Sequence, residues 1–272
     1  MNTYIDKVIV INLIERQDRK VKSKKILEEI FDVDKIIYFK AIKDINGNIG
    51  CAKSHIECLN LVIKNNKWNN VLIVEDDIVW TKSIEGEQIF KNLITKKFDV
   101  IILGGAWVFY NPFSYNVYKS VSNTAYIVHR SYLTKLKQLW EYGLQQQILT
   151  ANEIYAVDIY WDILKLRDNW KIVYPALFIQ ETGISNTQES IRKIPYAMFH
   201  YNNLKLCIYW YRDKIACLFI LSLISYLFNI ITIYNIFILI CIFIFYFLVK
   251  VFKHIMFYFI EGGKFINNIY KE

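Results

Sequence analysis

Three consecutive carboxylates, Glu75, Asp76 and Asp77, follow the apolar run Val71-Leu-Ile-Val74. Crowded like charges raise one another's pKa, and a hard divalent cation relieves the crowding by taking oxygen ligands. Asp77, Glu75 and Asp76 are therefore candidate ligands for Mg²⁺ or Mn²⁺, with positions left open for phosphate oxygens. At a strand end Glu75 and Asp77 can point one way and Asp76 the other. A solvated loop of acids is the plainer alternative. A receiver-type phosphoacceptor pocket also uses strand-end acids, but here arginines, not acids, follow the first strand. Those arginines, Arg16 and Arg19, suit a phosphate anion. With the acids they point to a nucleotide-diphosphate site in which metal and guanidinium share the charge; ordinary helix-start charge is the alternative. Asp158 and Asp162 are spaced i, i+4, so a helix puts both on one face. Either could take a proton from an acceptor hydroxyl, or serve only as a first-turn acid. Cys51, His55, Cys58 and Val62 share another helical face, which leaves His55 either a site residue or a hydrogen-bonded core histidine. His200 is a further candidate metal ligand on spacing alone.

Such groups need elements to hold them. Val8-Ile-Val-Ile-Asn-Leu13 is a buried-strand run. Helical spacing follows from Asp18 to Phe31, through Val21, Ile26, Leu27, Ile30 and Phe31. A second strand is expected at Lys35–Ala41, a turn at Asp44–Asn48 and a helix over Cys51–Lys64. A third strand, Val71–Val74, ends in the acids, and a fourth, Val100–Leu103, ends in Gly104-Gly105. Then come a strand at Ala125–Val128, helices over Ser131–Leu144 and Val157–Leu166, and a strand at Lys171–Tyr174. This alternation predicts an α/β domain with a mainly parallel sheet, whose ligands gather at the carboxyl ends of the strands.

The chain has 272 residues, 54% of them hydrophobic and 21% charged, which excludes a disordered polymer. The mean hydropathy of +0.21 is high for a wholly soluble domain. The excess lies at one end: no charged residue occurs from Ile215 to Val249. That exceeds the roughly 20 helical residues of one untilted span. A hairpin reversing near Asn229–Asn235 would put Arg212, Lys214, Lys250 and Lys253 on one side, as the positive-inside rule favours; a single span with an interfacial arm is the other solution. We expect residues 1–205 to be the catalytic domain and 206–272 a membrane anchor with an interfacial aromatic tail. Met1–Asp6 shows no signal peptide, so the domain is expected on the cytosolic side of the membrane. Five cysteines form no disulfide or zinc-spaced pattern. The net charge of +8 fits attraction to anionic lipid, and no nucleic-acid motif accompanies it.

In order along the chain, Val8–Leu13 with Arg16, Asp18 and Arg19, then Ile49-Gly-Cys-Ala-Lys-Ser-His-Ile56, Val71–Asp77, Thr124–Val128, Val157-Asp158, and Pro175 with Gln180 and Ser185 resemble glycosyltransferase family 25. This family includes bacterial lipooligosaccharide and collagen galactosyltransferases. The resemblance covers about residues 4–188. It implies a GT-A fold, Rossmann-like, and a UDP-sugar donor, usually UDP-galactose or UDP-glucose. It further implies Mn²⁺ or Mg²⁺ at the acidic motif and transfer with inversion to a glycan, lipid-linked or protein acceptor. By the same resemblance Asn12, Arg16 and Arg19 would line the nucleotide, Ser54 and His55 its edge, and Glu75, Asp76 and Asp77 the ribose and metal. Asp77 is then the leading metal ligand, and Asp158 matches a later acidic position. The chain departs from the pattern at Asn186, where the family often has Asp. That departure motivates an alternative, a catalytically weak GT-A-like binding or scaffold module at a membrane. In a third reading the tail is an interaction hairpin for a membrane partner.

Overall fold

A six-stranded sheet with one reversed strand organises the site. The computed structural model describes residues 1–181, 183–184, 191–192, 241 and 245. In chain order the main elements are β1 (Lys7–Asn12), α1 (Gln17–Glu28), β2 (Ile36–Lys40), α2 (Gly47–Lys64), β3 (Asn70–Glu75), β4 (Ile78–Trp80) and α3 (Ile84–Ile94). They continue with β5 (Val100–Tyr110), β6 (Val117–His129), α4 (Leu133–Thr150), α5 (Val157–Tyr160), α6 (Asp162–Lys165), β7 (Trp170–Ile172) and β8 (Phe178–Gln180). The sheet order is β2-β1-β3-β6-β5-β7. β1 lies parallel to β2 and β3, β5 parallel to β7, and only β6 runs antiparallel to its neighbours β3 and β5. The sheet is thus mostly parallel, and the expected α/β class is what forms. The chain divides into two units, Met1–Asn202 and Asn203–Glu272, and all the elements above belong to the first.

The central strands β1 and β3 and the first part of β5 are buried on both faces, hence their unbroken apolar runs. On one face Val8, Val10, Leu72, Val74, Ile101, Leu103 and Ile127 pack with Leu27, Phe31, Phe90 and Leu93 from the α1 and α3 side. Alternation sends Tyr126 to the other face, where its ring meets Trp140 of α4 edge-on at 5.9 Å. Val21, expected on the inner stripe of α1, is exposed, because the stripe that packs is carried by Leu27 and by Ile30 and Phe31 just beyond the helix. The helix over 157–166 forms as two short turns meeting at Trp161. Helix α3 was not foreseen, although Ser83 caps it by accepting from the Gly86 amide. Also unforeseen was the small β4–β8 ladder, which pairs Ile78 with Gln180.

Gly104 and Gly105 do not end their strand. β5 continues to Tyr110 through several register shifts against β6. The glycine is needed for a close crossing: a Cβ on Gly104 would lie 2.5 Å from the Phe178 carbonyl oxygen. Gly104→Ala must therefore push β5 away from the segment entering β8, and we expect it to cost about 1–3 kcal/mol. Urea unfolding of the variant checks this; an unchanged midpoint would show that the crossing yields freely.

No helix among the described residues is long and apolar enough to cross a membrane. The uncharged segment 215–249, Asn186 and His200 lie outside the described residues.

Candidate active site at the carboxyl ends of β1 and β3

A cavity of about 620 Å³ opens where β1 and β3 end, and its walls come from eight parts of the chain. Leu13 and Arg19 follow β1, Ala41 to Asp44 follow β2, and Gly47 to His55 belong to α2. Glu75, Asp76 and Asp77 follow β3, Trp107 and Ser122-Asn123 come from β5 and β6, and Asp158 and Gln180 close the far side. The size suits a nucleotide or a nucleotide-sugar.

The acids divide into two groups. The Asp76 carboxylate is buried and accepts from Asn12 Nδ2 at 2.7 Å and from Arg19 Nη1 at 3.1 Å. The same Arg19 nitrogen is 3.4 Å from Asp77 Oδ2. Glu75 faces the other way, where its Oε2 accepts from Gln180 Nε2 at 2.5 Å and its Oε1 is 4.0 Å from His55 Nε2. The expected grouping of Glu75 with Asp77 is not seen: β3 ends at Glu75, so strand alternation does not extend to Asp76 and Asp77, which the Arg19 guanidinium draws to one side. Of the three candidate ligands, Asp76 and Asp77 stand together at Arg19, while Glu75 groups with His55 and Gln180. Asp77 and Asp76, drawn together by Arg19, are the two carboxylates here that could ligate a hard cation such as Mg²⁺ or Mn²⁺.

Arg16 is not part of the cavity wall. Its guanidinium is turned onto Asp18, at 3.0 and 2.8 Å, and holds that carboxyl well below the usual range. Asn12 is also behind the wall and acts through Asp76 and the Arg16 carbonyl. Ser54 lines the cavity but is spent on the backbone: its hydroxyl donates to the Gly50 carbonyl at 2.7 Å and accepts from the Ile42 amide at 2.8 Å. It thereby ties the loop after β2 to α2.

His55 is a hydrogen-bonded core histidine that also borders the cavity. The ring is buried, and its edge lines the cavity. Nδ1 meets the Tyr126 hydroxyl at 2.9 Å, and Nε2 meets the Asn123 amide nitrogen at 3.0 Å. An amide nitrogen only donates, so Nε2 accepts and the proton sits on Nδ1. Burial holds the imidazole pKa down to about 3, which keeps the ring neutral.

Asp158, in the first turn of α5, borders the cavity, and its Oδ2 accepts from the Ser122 amide at 3.3 Å. Ser122 has φ 67°, a strained bend that turns its amide toward this acid. Asp162 is not in the cavity. It is 1% exposed, its Oδ1 is 2.5 Å from Lys165 Nζ, and Lys165 donates again to the Ser120 hydroxyl at 2.7 Å. Burial pushes the Asp162 carboxyl up and the Lys165 ammonium down to about 8, each opposed by the other's charge. The idea that either acid could be the base is thus corrected: Asp162 is a buried structural partner. Removing its counter-ion strands a charge in the core, so Lys165→Met should cost about 3–5 kcal/mol. The double variant D162L/K165M should recover much of that loss. Equal destabilisation of both variants in denaturant melts would contradict the pairing.

Sequence reasoning gave no role to Trp107, Ser122 or Asn123. The polar run Ser120–Thr124 was the available signal, since all its members except Val121 are hydroxyl or amide side chains buried inside a strand.

A mostly parallel α/β sheet with an acid–arginine cavity at its strand ends defines the class, an α/β domain whose candidate site lies at the carboxyl ends of its strands. Within it, residues 37–157 match the model of glycosyltransferase family 25 (LPS biosynthesis protein), the family that the motifs resemble. The matched segment contains Ser54, His55 and the three acids; Asn12, Arg16 and Arg19 precede it, and Asp158 follows it by one residue. No curated protein matches the chain. Among solved structures, a glycosyltransferase involved in glycosylation of the major capsid of PBCV-1 is 12% identical with a TM-score of 0.41, over 64% of this chain and 92% of that one. GlyE, a glycosyltransferase of Streptococcus pneumoniae TIGR4, is 9% identical with a TM-score of 0.38, over 77% and 64%. The 4-diphosphocytidyl-2C-methyl-D-erythritol synthase of Anaerococcus prevotii is 14% identical with a TM-score of 0.34, over 65% and 70%. Likenesses this distant carry no functional argument; the family match and the site do.

Proposed function

We propose that this domain is a glycosyltransferase that moves a hexose, galactose or glucose, from a UDP-sugar to a hydroxyl of a glycan, lipid-linked or protein acceptor, with inversion. The observation that carries the reading is the meeting of Arg19, Asp76, Asp77 and Asp158 around one cavity at the strand ends. In this reading Arg19 takes up diphosphate charge that grows as the sugar departs. Asn12 holds Asp76 in place, so that Arg19 and Asp77 stay aimed at the opening. Asp158, beside the Ser122 amide, accepts the acceptor hydroxyl's proton. Trp107 and Asn123 on the opposite wall keep the reacting sugar from bulk water.

The residues present fit Mn²⁺ or Mg²⁺ at Asp77 and Asp76, because both carboxylates line the cavity and hard cations of this kind need only one or two of them besides phosphate. Such an ion would neutralise charge on the leaving diphosphate. Residues 206–272, with the uncharged run 215–249, would hold the enzyme to a membrane and bring it to a membrane-bound acceptor, the domain itself facing the cytosol.

A screen of UDP-sugars with the full-length protein, reading UDP release with Mn²⁺ and with EDTA, tests the proposal. We expect one UDP-hexose to be turned over in a metal-dependent way. A chain that neither binds UDP in calorimetry nor turns over any donor would instead be the scaffold module considered above.

A further inference from the structure

Glu75, turned away from Arg19, belongs to a second constellation in the same cavity. Cys51 and His55 are one turn apart on α2, so both face the end of β3, where Glu75 stands. One ligand-type atom from each of Cys51, His55 and Glu75 lies within 4.8 Å of the others. Among the described residues no other group of three such side chains converges in this way. The surrounding contacts are those that metal-binding side chains require. Tyr126 engages the Nδ1 side of the His55 ring, so Nε2, covered by the Asn123 amide and 4.0 Å from Glu75 Oε1, is the ring's ligand atom. Gln180 holds Glu75 by its other oxygen, Oε2. Hydrogen bonds of this second kind orient ligands and set the histidine tautomer in metal sites.

The donor set is thiolate, imidazole and carboxylate, which suits a borderline-soft cation such as Zn²⁺ and not the hard cations that prefer oxygen alone. With metal–ligand bonds of about 2.0–2.3 Å, tetrahedral ligands stand roughly 3.5 Å apart. Closing to that distance takes a movement of about 1 Å by Cys51 and Glu75, within the reach of side-chain rotation. The Asn123 amide, which covers Nε2 at 3.0 Å, must swing aside. Three protein ligands leave the fourth position open to the cavity.

We propose that Cys51, His55 and Glu75 form a zinc-type cation site, separate from the Asp76–Asp77 pair. Binding forms the metal–sulfur, metal–nitrogen and metal–oxygen bonds and releases the Cys51 thiol proton to solvent. The proposal does not rest on the transferase reading.

Cobalt(II) titration of the full-length protein tests it. The expected result is a near-ultraviolet thiolate-to-cobalt charge-transfer band with intense visible bands of tetrahedral cobalt, saturating at one equivalent and erased by one equivalent of Zn²⁺. Cys51→Ser should abolish the charge-transfer band, and Glu75→Gln should weaken cobalt binding by at least about 10-fold, with thermal melts showing that both variants are folded. Absence of the band from the wild-type protein, or its survival undiminished in Cys51→Ser, would overturn the site. The readout is absorbance, so it fails or succeeds whether or not any UDP-sugar is turned over.

Discussion

Asp77→Asn is expected to lower metal-dependent UDP release by about 10²–10³-fold, the range seen when a group that stabilises transition-state charge is removed. The substitution keeps the shape of a side chain that is 6% exposed, and Arg19 retains Asp76 as its partner. The fold should therefore persist, with the loss confined to turnover. The mechanism is direct: an amide carries no charge to hold a cation against diphosphate, and the arginine alone cannot balance the leaving group. Steady-state rates over a range of Mn²⁺ concentrations, with a thermal melt of the same sample, separate chemistry from folding. Undiminished turnover in the variant, or wild-type turnover indifferent to EDTA, would remove the acid pair from the mechanism.

Asp158→Asn should lower kcat for transfer by about 10²–10⁴-fold while leaving UDP binding near its wild-type value, because a general base acts on the acceptor and not on the nucleotide. The substitution leaves a carbonyl oxygen on the side chain at this position. The Ser122 amide can still donate to it, so the strained bend of β6 keeps its partner. The contrast with the neighbouring acid is informative. Asp162→Asn leaves Lys165 facing a neutral amide in the core, so its effect should appear in the unfolding free energy, with the folded fraction keeping its turnover. If instead D162N matched D158N in kcat at full stability, the two roles would be reversed.

How far the site was legible varies residue by residue. The acids after β3 and the arginine after β1 were readable because a buried parallel strand imposes an apolar run, and polar residues immediately after it must lie at its end. The long β5–β6 pair was readable only at the start of β5 and the end of β6. Its glycines and its run of serines, asparagine and threonine carry no strand signal, and they are held by register shifts and by buried partners such as the Asp162–Lys165 pair, which are distant in sequence. The short β4–β8 ladder pairs residues about a hundred positions apart, which no local pattern records.

The sequence alone determined the class of fold, the order of most of its main strands and helices and the types of group at the cavity, since these follow from local periodicity and from the chemistry of side chains. Only the tertiary structure decided how those groups are shared. One arginine draws Asp76 and Asp77 together, glutamine holds Glu75 away from them, Arg16 is held on Asp18, and a buried lysine withdraws Asp162. Apart from the local, exposed Arg16–Asp18 pair, these pairings reward proximity between charges or hydrogen-bonding groups in a medium of low dielectric, and the packed sheet and helices create both the proximity and the medium.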